Sequence, residues 1–328
     1  MSMKEPLHSK RMDTAAVTGK LPRCAWCALV WLLAIIVVLA QPLPGQADAG
    51  VSLPKVLHVA FSSGAFPEID RCDARLAMEL WARGLSRKVG IQKAKVTIFD
   101  KTEEIQDMIQ QGEIHLVTMP ALEYLKYRRG LKIVPAYIAA NKKGREVEHL
   151  IVVRRDSGIR RFRDLRGKTL STSTATKHDA SLLWLNVLLM REGARKSTGY
   201  FRQQTESKKP SQAVMGVFFR KFDSALVSRG SFETCKILNP QLETQLIAIA
   251  ESDSLAGSIS CIPYNISERL KRTMDNTATS LDKTTVGKQM ATLFQVGTIV
   301  PFNPSHLSGL EELLREQERL MVAQARKR

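Results

Sequence analysis

The chain has 328 residues, of which 44% are hydrophobic and 25% charged, and this composition supports a buried core and argues against a disordered chain. Its 49 lysines and arginines against 32 acidic residues give a formal charge of +17, which favours an anionic partner: a small anion, a nucleic acid or a membrane surface. Five cysteines exclude a disulfide-dense scaffold. The spacings of zinc sites, zincins, P-loop nucleotidases and G-x-S-x-G hydrolases do not occur, and no cofactor is expected.

The first residues have the pattern of an export signal. An uncharged apolar run over 25–40 follows several basic residues and precedes the helix-breaking stretch 41–45 and the small-residue site Ala47-Asp48-Ala49. This order predicts a signal peptide over residues 1–49, cleaved after Ala49, and a periplasmic protein for which nucleic acid is not an expected partner. Because a bilayer core takes about 20 apolar residues, a retained membrane anchor stays open as the alternative.

Three cysteines follow the predicted signal segment: Cys72, Cys235 and Cys261. They allow at most one intramolecular disulfide, for which Cys235 and Cys261 are the pair to test. The other interpretation, three small buried hydrophobic side chains, stays open.

Strands and helices alternate over the first part of the remaining chain. Short β-rich runs predict strands over 55–61, 95–99, 114–118 and 132–139. Helices are predicted between them over 70–90, 102–112 and 120–130, with Asp70 and Thr102 as caps and glycines at the ends. Such alternation is typical of a parallel or mixed sheet covered by helices.

The later part predicts a second, smaller α/β unit and a helical C-terminal third. Strands are expected over 148–154, 169–171, 200–204, 224–228, 246–250 and 258–262. Helices are expected over 178–192, 210–220, 229–236, 267–276, 284–294 and 307–325. The order predicts a two-lobe protein with a discontinuous large lobe, 50–150 plus 245–328, and a small lobe, 151–244. The chain would cross between them near 148–154 and 238–250 and bend near Val152 and Ala248.

The segment 171–176 places consecutive hydroxyls between a strand and a long helix. The free N–H groups of a helix start favour anions, and serine and threonine hydroxyls add donors, so the segment predicts an oxyanion site to which Lys177 and His178 would add charge. Plain N-capping by Ser173, Thr174 or Thr176 is the alternative. The loop after the first strand, which begins with Ser62 and Ser63, is also rich in hydroxyls.

Four stretches resemble a known family: 148–175, which includes HLIVVRRDSGIRRFRDLRGKTLSTSTA, then FDSALVSRGSFE at 222–233, IAESDS at 249–254, and MPALEY at 119–124. Over 54–320 the chain resembles the phosphate/phosphite/phosphonate family of ABC-transporter substrate-binding proteins. The resemblance implies a type II periplasmic-binding fold, each lobe a mixed sheet flanked by helices. It also implies a monomer that captures a small oxyanion for a membrane permease without catalysis.

By motif position, the resemblance implies an oxyanion site in the cleft between the lobes. With the loop residues named above included, the expected ligand-binding residues are Ser62, Ser63, Tyr124, Ser171, Thr172, Ser173, Thr174, Asp223 and Ser228. Two alternatives stay open: a sensor that signals to a membrane partner, and an enzyme similar to thiamine-pyrimidine synthases, which would need a cysteine–histidine cluster at the cleft. The stretch 207–212 departs from the family because it lacks the histidine of a Gly/Ser-His turn.

Overall fold

A computed structural model describes residues 53–66, 69–140, 147–173, 179–194, 199–278, 280, 283–294 and 297–326. The predicted signal segment lies outside these ranges, as do Thr174, Lys177 and His178. Within them, none of the helices combines the length and the apolar character that a membrane-spanning segment needs.

Eleven strands are described in this part of the chain, and they form two sheets. They are β1 Val56–Ser62, β2 Lys93–Phe99, β3 Leu116–Pro120, β4 Ile133–Ala140, β5 His149–Arg154, β6 Thr169–Ser173, β7 Gln203–Ser207, β8 Ser224–Ser228, β9 Leu246–Glu251, β10 Ser258–Pro263 and β11 Thr298–Pro301.

The helices lie between and after these strands. They are α1 Arg71–Val89, α2 Gln106–Gln110, α3 Ala121–Tyr127, α4 Ala180–Arg191, α5 Pro210–Phe218, α6 Arg229–Leu238, α7 Gln241–Gln245, α8 Glu268–Ala278, α9 Thr285–Leu293 and α10 Ser308–Arg326.

Both sheets are mixed, and this confirms the predicted two-lobe α/β fold. The larger sheet has the order β11-β4-β10-β3-β1-β2, with β10 and β11 antiparallel to their neighbours. The smaller sheet has the order β7-β6-β8-β5-β9, with β5 antiparallel to both of its neighbours. Helices flank each sheet, and the parallel strands of each sheet end at one common edge.

The chain passes from the larger sheet to the smaller one between β4 and β5, and returns between β9 and β10. The strand β9 therefore belongs to the smaller sheet, although the sequence placed residues from 245 onward in the large lobe. Val152 and Ala248 are register partners across β5 and β9, inside that sheet. That the lobes move by bending at these two residues stays a prediction. The division of the chain into lobes at 150 and 245 also stays a prediction.

Local capping explains why α1 begins and ends where the sequence predicted. The Asp70 carboxylate accepts a hydrogen bond of 2.8 Å from the Cys72 N–H. At the other end Gly90 adopts a left-handed conformation with φ of 90°, which glycine reaches without a Cβ clash. Two elements were not predicted: the short helix α7 and the edge strand β11, which pairs with β4 in the C-terminal third that the sequence indicated as helical.

One apolar cluster joins the two sheets, and we call it the bridging cluster. It contains residues next to the larger sheet, residues of α4, the return connection and the start of α10. Its members include Met119, Tyr124, Leu131, Leu183, Leu185, Leu188, Leu255, Ala256, Leu307, Leu310 and Leu313.

The C-terminal helix α10 contacts both lobes. It packs along α4 of the smaller lobe, where Arg191 donates two hydrogen bonds of 2.8 Å to Glu316. Near the other end of α10, Arg128, which follows α3, lies 3.0 Å from the Glu311 carboxylate. The sequence assigned this helix to the large lobe alone.

The cysteines do not form the disulfide considered above. Cys235 lies in α6, in the core of the smaller sheet, whereas Cys261 lies in β10 of the larger sheet. Both side chains are buried and Cys72 is exposed on α1, so the described residues contain no disulfide.

Candidate functional site

The edge of the larger sheet that faces the return connection is formed by the ends of β1, β2 and β3. Because these strands are parallel, Ser62, Phe99 and Pro120 end at the same edge. The antiparallel strand β10 begins there, with Ser258 opposite Pro120.

A buried carboxylate organises this edge. The Glu123 side chain is 1% exposed, and it accepts hydrogen bonds from Ser62 Oγ at 3.1 Å and from Thr102 Oγ1. Ser62 Oγ also accepts from the Gly64 N–H. The Ser62 hydroxyl proton is therefore directed at Glu123, away from any ligand. The sequence did not identify Glu123, because its hydroxyl partners lie far from it along the chain.

Ser63 is also engaged with an acidic side chain. Its hydroxyl donates to Asp100 Oδ1 at 2.6 Å, and Arg71 Nη1 lies 2.9 Å from Asp100 Oδ2. These bonds from Ser63 and then Arg71 hold the pKa of the Asp100 carboxyl below its usual value. Ser63 would have to leave a charged acceptor before it could donate to an anion.

Tyr124 lies on α3, within the bridging cluster, and is 7% exposed. Burial is the main cause that raises the pKa of its phenol to about 12. The phenol therefore keeps its proton at neutral pH and can act as a hydrogen-bond donor at the edge of this cluster.

The smaller sheet presents a row of serines at the corresponding edge. The parallel strands β6, β7 and β8 end at Ser173, Ser207 and Ser228. Ser173 is the register partner of Ser207, and Ser171 Oγ lies 2.8 Å from Ser207 Oγ. Ser171 is fully buried, so it supports Ser207 from inside the sheet, whereas Ser173 is partly exposed at the strand end.

The remaining predicted residues of the smaller lobe occupy different places. Thr172 is 5% exposed and, by strand alternation, faces the layer opposite to Ser171 and Ser173. Ser228 caps α6: its Oγ accepts from the Ser231 N–H at 3.1 Å and donates to Ser231 Oγ at 2.8 Å, a bond that it would have to leave before donating to an anion. Thr174 lies outside the described residues.

Asp223 is not brought together with Ser228. It immediately precedes β8, at the opposite end of that strand, and its carboxylate accepts from the N–H and the hydroxyl of Thr169 at 2.8 and 2.9 Å. Asp223 therefore fixes the start of β6 to the start of β8, far from the serine row.

The start of α4 differs from the predicted cap. The helix begins at Ala180, and the N-cap is Asp179, whose carboxylate accepts from the Ser181 N–H at 2.7 Å. A carboxylate here already satisfies part of the positive helix start. An anion at the 171–176 segment would thus share this helix end with a negative side chain, which weakens the helix-dipole argument made from the sequence.

A buried histidine lies beside that cap. His149 begins β5 opposite Ser228, and its N–H donates to Ser252 Oγ at 2.9 Å. Burial lowers the pKa of the imidazole, and the nearby Asp179 carboxylate acts in the opposite direction. The sequence did not single out His149 as a site residue.

Arg229 directly follows β8, at the same edge of the smaller sheet. Its guanidinium forms ion pairs with Glu148 and Glu251, on the two segments that connect the sheets. This cation is therefore already paired with two carboxylates, and two exposed lysines, Lys208 and Lys209, follow Ser207 at the same edge.

The two edges, one in each sheet, lie beside the same short connection. Residues 252–257 separate the end of β9 from the start of β10, Val147 pairs with Leu255, and the Ala121 N–H donates to Gly257 O at 2.8 Å. Hydroxyl groups from both lobes therefore lie at strand ends on either side of this connection, which is where open α/β sheets bind ligands.

A family profile described as the periplasmic substrate-binding protein of phosphonate ABC transporters matches residues 64–307. The chain belongs to this phosphonate-binding family. The resemblance stated from the sequence is confirmed, and the chain is a substrate-binding component of the ABC-transporter type, a periplasmic class.

Solved structures share the fold at low identity. One is a binding protein component of an ABC phosphonate transporter from Pseudomonas aeruginosa, with a TM-score of 0.59 and 13% identity, covering 82% of this chain and 88% of that one. Another is PhnD1 from Prochlorococcus marinus in complex with methylphosphonate, with 0.59 and 14%, covering 81% and 99%. A third is XAC2383 from Xanthomonas citri bound to ATP, with 0.59 and 14%, covering 82% and 98%. No curated protein matches the chain.

Proposed function

We propose that this member of the phosphonate-binding family captures a small oxyanion, a phosphonate, phosphite or phosphate, between the two serine-bearing edges and presents it to an ABC permease. The observation that carries the proposal is the row formed by Ser173, Ser207 and Ser228 at the ends of parallel strands. The proposal includes no catalytic step.

Two charged side chains at these edges are already engaged within the protein. Arg229 is occupied by Glu148 and Glu251, and Glu123 is occupied by Ser62 and Thr102. An oxyanion held by hydroxyls would gain about 1.5–3 kcal/mol per hydrogen bond to its charge. This favours small, strongly charged ligands that can accept several such bonds at once.

The proposal extends to location and partners. The pattern of residues 1–49 supports export through a cleaved signal peptide, and the family supports a permease as the partner. A monomer is proposed. The enzyme alternative has less support, because the described cysteines lie in separate sites, two of them buried in different cores.

The ligand can be identified by a thermal-shift screen of the purified protein with phosphate, phosphite, methylphosphonate and sulfate. A ligand present at 100 times its dissociation constant adds about 2.7 kcal/mol of stability. The best ligand is then titrated calorimetrically into Ser173→Ala/Ser228→Ala, which we expect to bind on the order of a hundredfold more weakly. Ser211→Ala, an exposed serine of α5, is the matched control.

The outcomes separate the proposals. No stabilisation by any of these anions would refute oxyanion capture by this protein. Binding that is equally strong in the double variant and in the Ser211→Ala control would place the site away from the serine row.

A further inference from the structure

The end of the smaller sheet remote from the connections has a distinct surface, which we call the distal pole. It is the end where β5 finishes at Arg154 and where β6, β7, β8 and β9 begin. The register pairs Leu170 with Ser224, and Arg154 with Leu246, which places these strand ends together. The distal pole is therefore at the opposite end of the sheet from the serine row.

Basic side chains dominate the distal pole. Ten of them come from the strand ends and the turns between strands, and all but the partly exposed Arg154 are exposed: Arg154, Arg155, Arg160, Arg161, Arg163, Arg166, Lys168, Arg202, Arg220 and Lys221. The acidic side chains at the same end are fewer: Asp156, Asp164, Glu192, Asp223 and Glu243.

Three of these acidic groups are already engaged within the lobe. Asp156 accepts from Arg154 at 2.9 Å and from Arg220 at 2.6 Å. Asp164 accepts from the backbone N–H groups that precede it, and Asp223 binds Thr169. They neutralise only part of the basic charge, so the distal pole keeps a positive surplus that faces solvent.

Exposed apolar side chains lie at the same pole. Phe219 is 71% exposed at the end of α5, and Ile237 and Leu238 are 79% and 80% exposed at the end of α6. Phe219 lies edge-on to Phe218, with 5.0 Å between ring centroids, and the Phe218 carbonyl accepts from Arg154 at 2.6 Å.

The segment that follows the apolar end of α6 contacts one of the basic turns. After Leu238 the chain runs through α7 to Thr244, whose carbonyl accepts from Arg155 Nε at 2.9 Å. Arginines therefore contact the chain beside both groups of exposed apolar tips, Arg154 next to Phe219 and Arg155 shortly after Leu238.

We propose that the distal pole binds the surface of an anionic lipid bilayer. Apolar tips surrounded by basic side chains match the layered chemistry of such a surface, in which acyl chains lie beneath negatively charged headgroups. A headgroup layer also accommodates a spread of positive charges without a fixed complementary shape, and each lysine or arginine near it contributes about 1 kcal/mol. In this orientation the serine row faces away from the membrane, so delivery to a permease would require the protein to leave the bilayer surface and reorient.

The proposal is tested by sedimentation of the purified, exported protein with two kinds of vesicle: phosphatidylglycerol mixed with phosphatidylcholine, and phosphatidylcholine alone. The charge variant is Arg161→Glu/Arg163→Glu/Lys168→Glu, and the apolar variant is Phe219→Ser. Matched controls lie on α1 of the other lobe: Arg75→Glu/Arg87→Glu/Lys88→Glu for charge, and Leu76→Ser/Leu80→Ser, whose leucines are 58% and 56% exposed.

The wild type should bind the anionic vesicles and not the neutral ones, and added salt should weaken the binding. The charge variant should partition on the order of a hundredfold more weakly, and Phe219→Ser roughly tenfold more weakly. The α1 controls should bind like the wild type. Thermal unfolding and calorimetric titration with the anion found in the screen show that each variant is folded and that its ligand site is intact.

Other results would overturn the proposal. One is a wild type that does not sediment with anionic vesicles, and another is a loss that is as large in the α1 controls as in the distal-pole variants. Binding to a permease in neutral nanodiscs that is lost in the charge variant, without binding to anionic vesicles, would assign the distal pole to a protein partner instead.

Discussion

Replacing Glu123 by alanine should destabilise the protein strongly, because this carboxylate holds two hydroxyls in a buried site. Ser62 and Thr102 both donate to it, and its side chain is 1% exposed. Hydrogen bonds to a charged group contribute about 1.5–3 kcal/mol each. The loss of both, together with the space left by the side chain, gives an expected decrease of about 3–5 kcal/mol in the free energy of unfolding.

Urea unfolding measures this decrease directly. With a slope of about 1–3 kcal/mol per molar urea, the midpoint should fall by about 1–5 M. Glu113→Ala removes an exposed carboxylate and should change stability by less than about 0.5 kcal/mol. If Glu123→Ala and Glu113→Ala unfold at the same urea concentration, the reasoning about this buried acceptor is refuted.

Glu123→Gln separates the structural role from an influence on the ligand. The amide can accept from Thr102 and donate to Ser62, whose oxygen has a second lone pair beside the one used by Gly64. Most of the stability should therefore remain, with a loss of about 1 kcal/mol. Because Ser62 is 1% exposed, its hydroxyl does not face solvent, and the affinity for methylphosphonate or phosphate should change little in Glu123→Gln and in Ser62→Ala.

Three further outcomes follow from the core. Burial first, then the charges of nearby groups, lower the pKa of His58 to about 4. The unfolded chain therefore takes up a proton that the folded chain does not, and this group should cost at most about 3 kcal/mol of stability as the pH drops from about 6.5 to about 4. Urea unfolding followed against pH should show a smaller loss in His58→Gln, which keeps His115 and His149, whose pKa values burial also lowers. Gly216→Ala would drive a methyl group into the Phe222 ring and should lower the free energy of unfolding by about 1–3 kcal/mol. Gly230→Ala has open space around it and should raise the free energy of unfolding by up to about 1 kcal/mol. Equal urea midpoints for the two variants would contradict the steric overlap at Gly216. Leu313→Ala in the bridging cluster should cost about 2–5 kcal/mol, and a loss below 1 kcal/mol by calorimetry would show that α10 packs loosely.

Local capping was predicted correctly for α1 but not for α4, and Thr102, predicted as a cap, instead donates its hydroxyl to Glu123. Asp70 and Gly90 bound α1 because the cap and the left-handed glycine act within a few residues. The strand β11 was missed because four residues, Thr298–Pro301, carry too little pattern, and only pairing with β4 makes them a strand.

The candidate site depends on contacts between distant residues, and here the sequence was less informative. The hydroxyl run ending β6 was visible, yet nothing local indicates that Ser171 is buried against Ser207 or that Ser62 is directed at Glu123. The motif that suggested Asp223 as a cleft residue could not reveal the register that places it at the other end of β8.

The bridging cluster has a consequence for how this protein loses its structure. Side chains from the larger sheet, from α4 and from α10 share one apolar interior, so neither lobe can melt without exposing part of the other's packing. Cooperativity follows from such shared interiors, and a calorimetric scan should show one heat-absorption peak whose van't Hoff and calorimetric enthalpies agree. Partial unfolding of one lobe should therefore be costly, because it would expose apolar side chains that pack in the shared cluster.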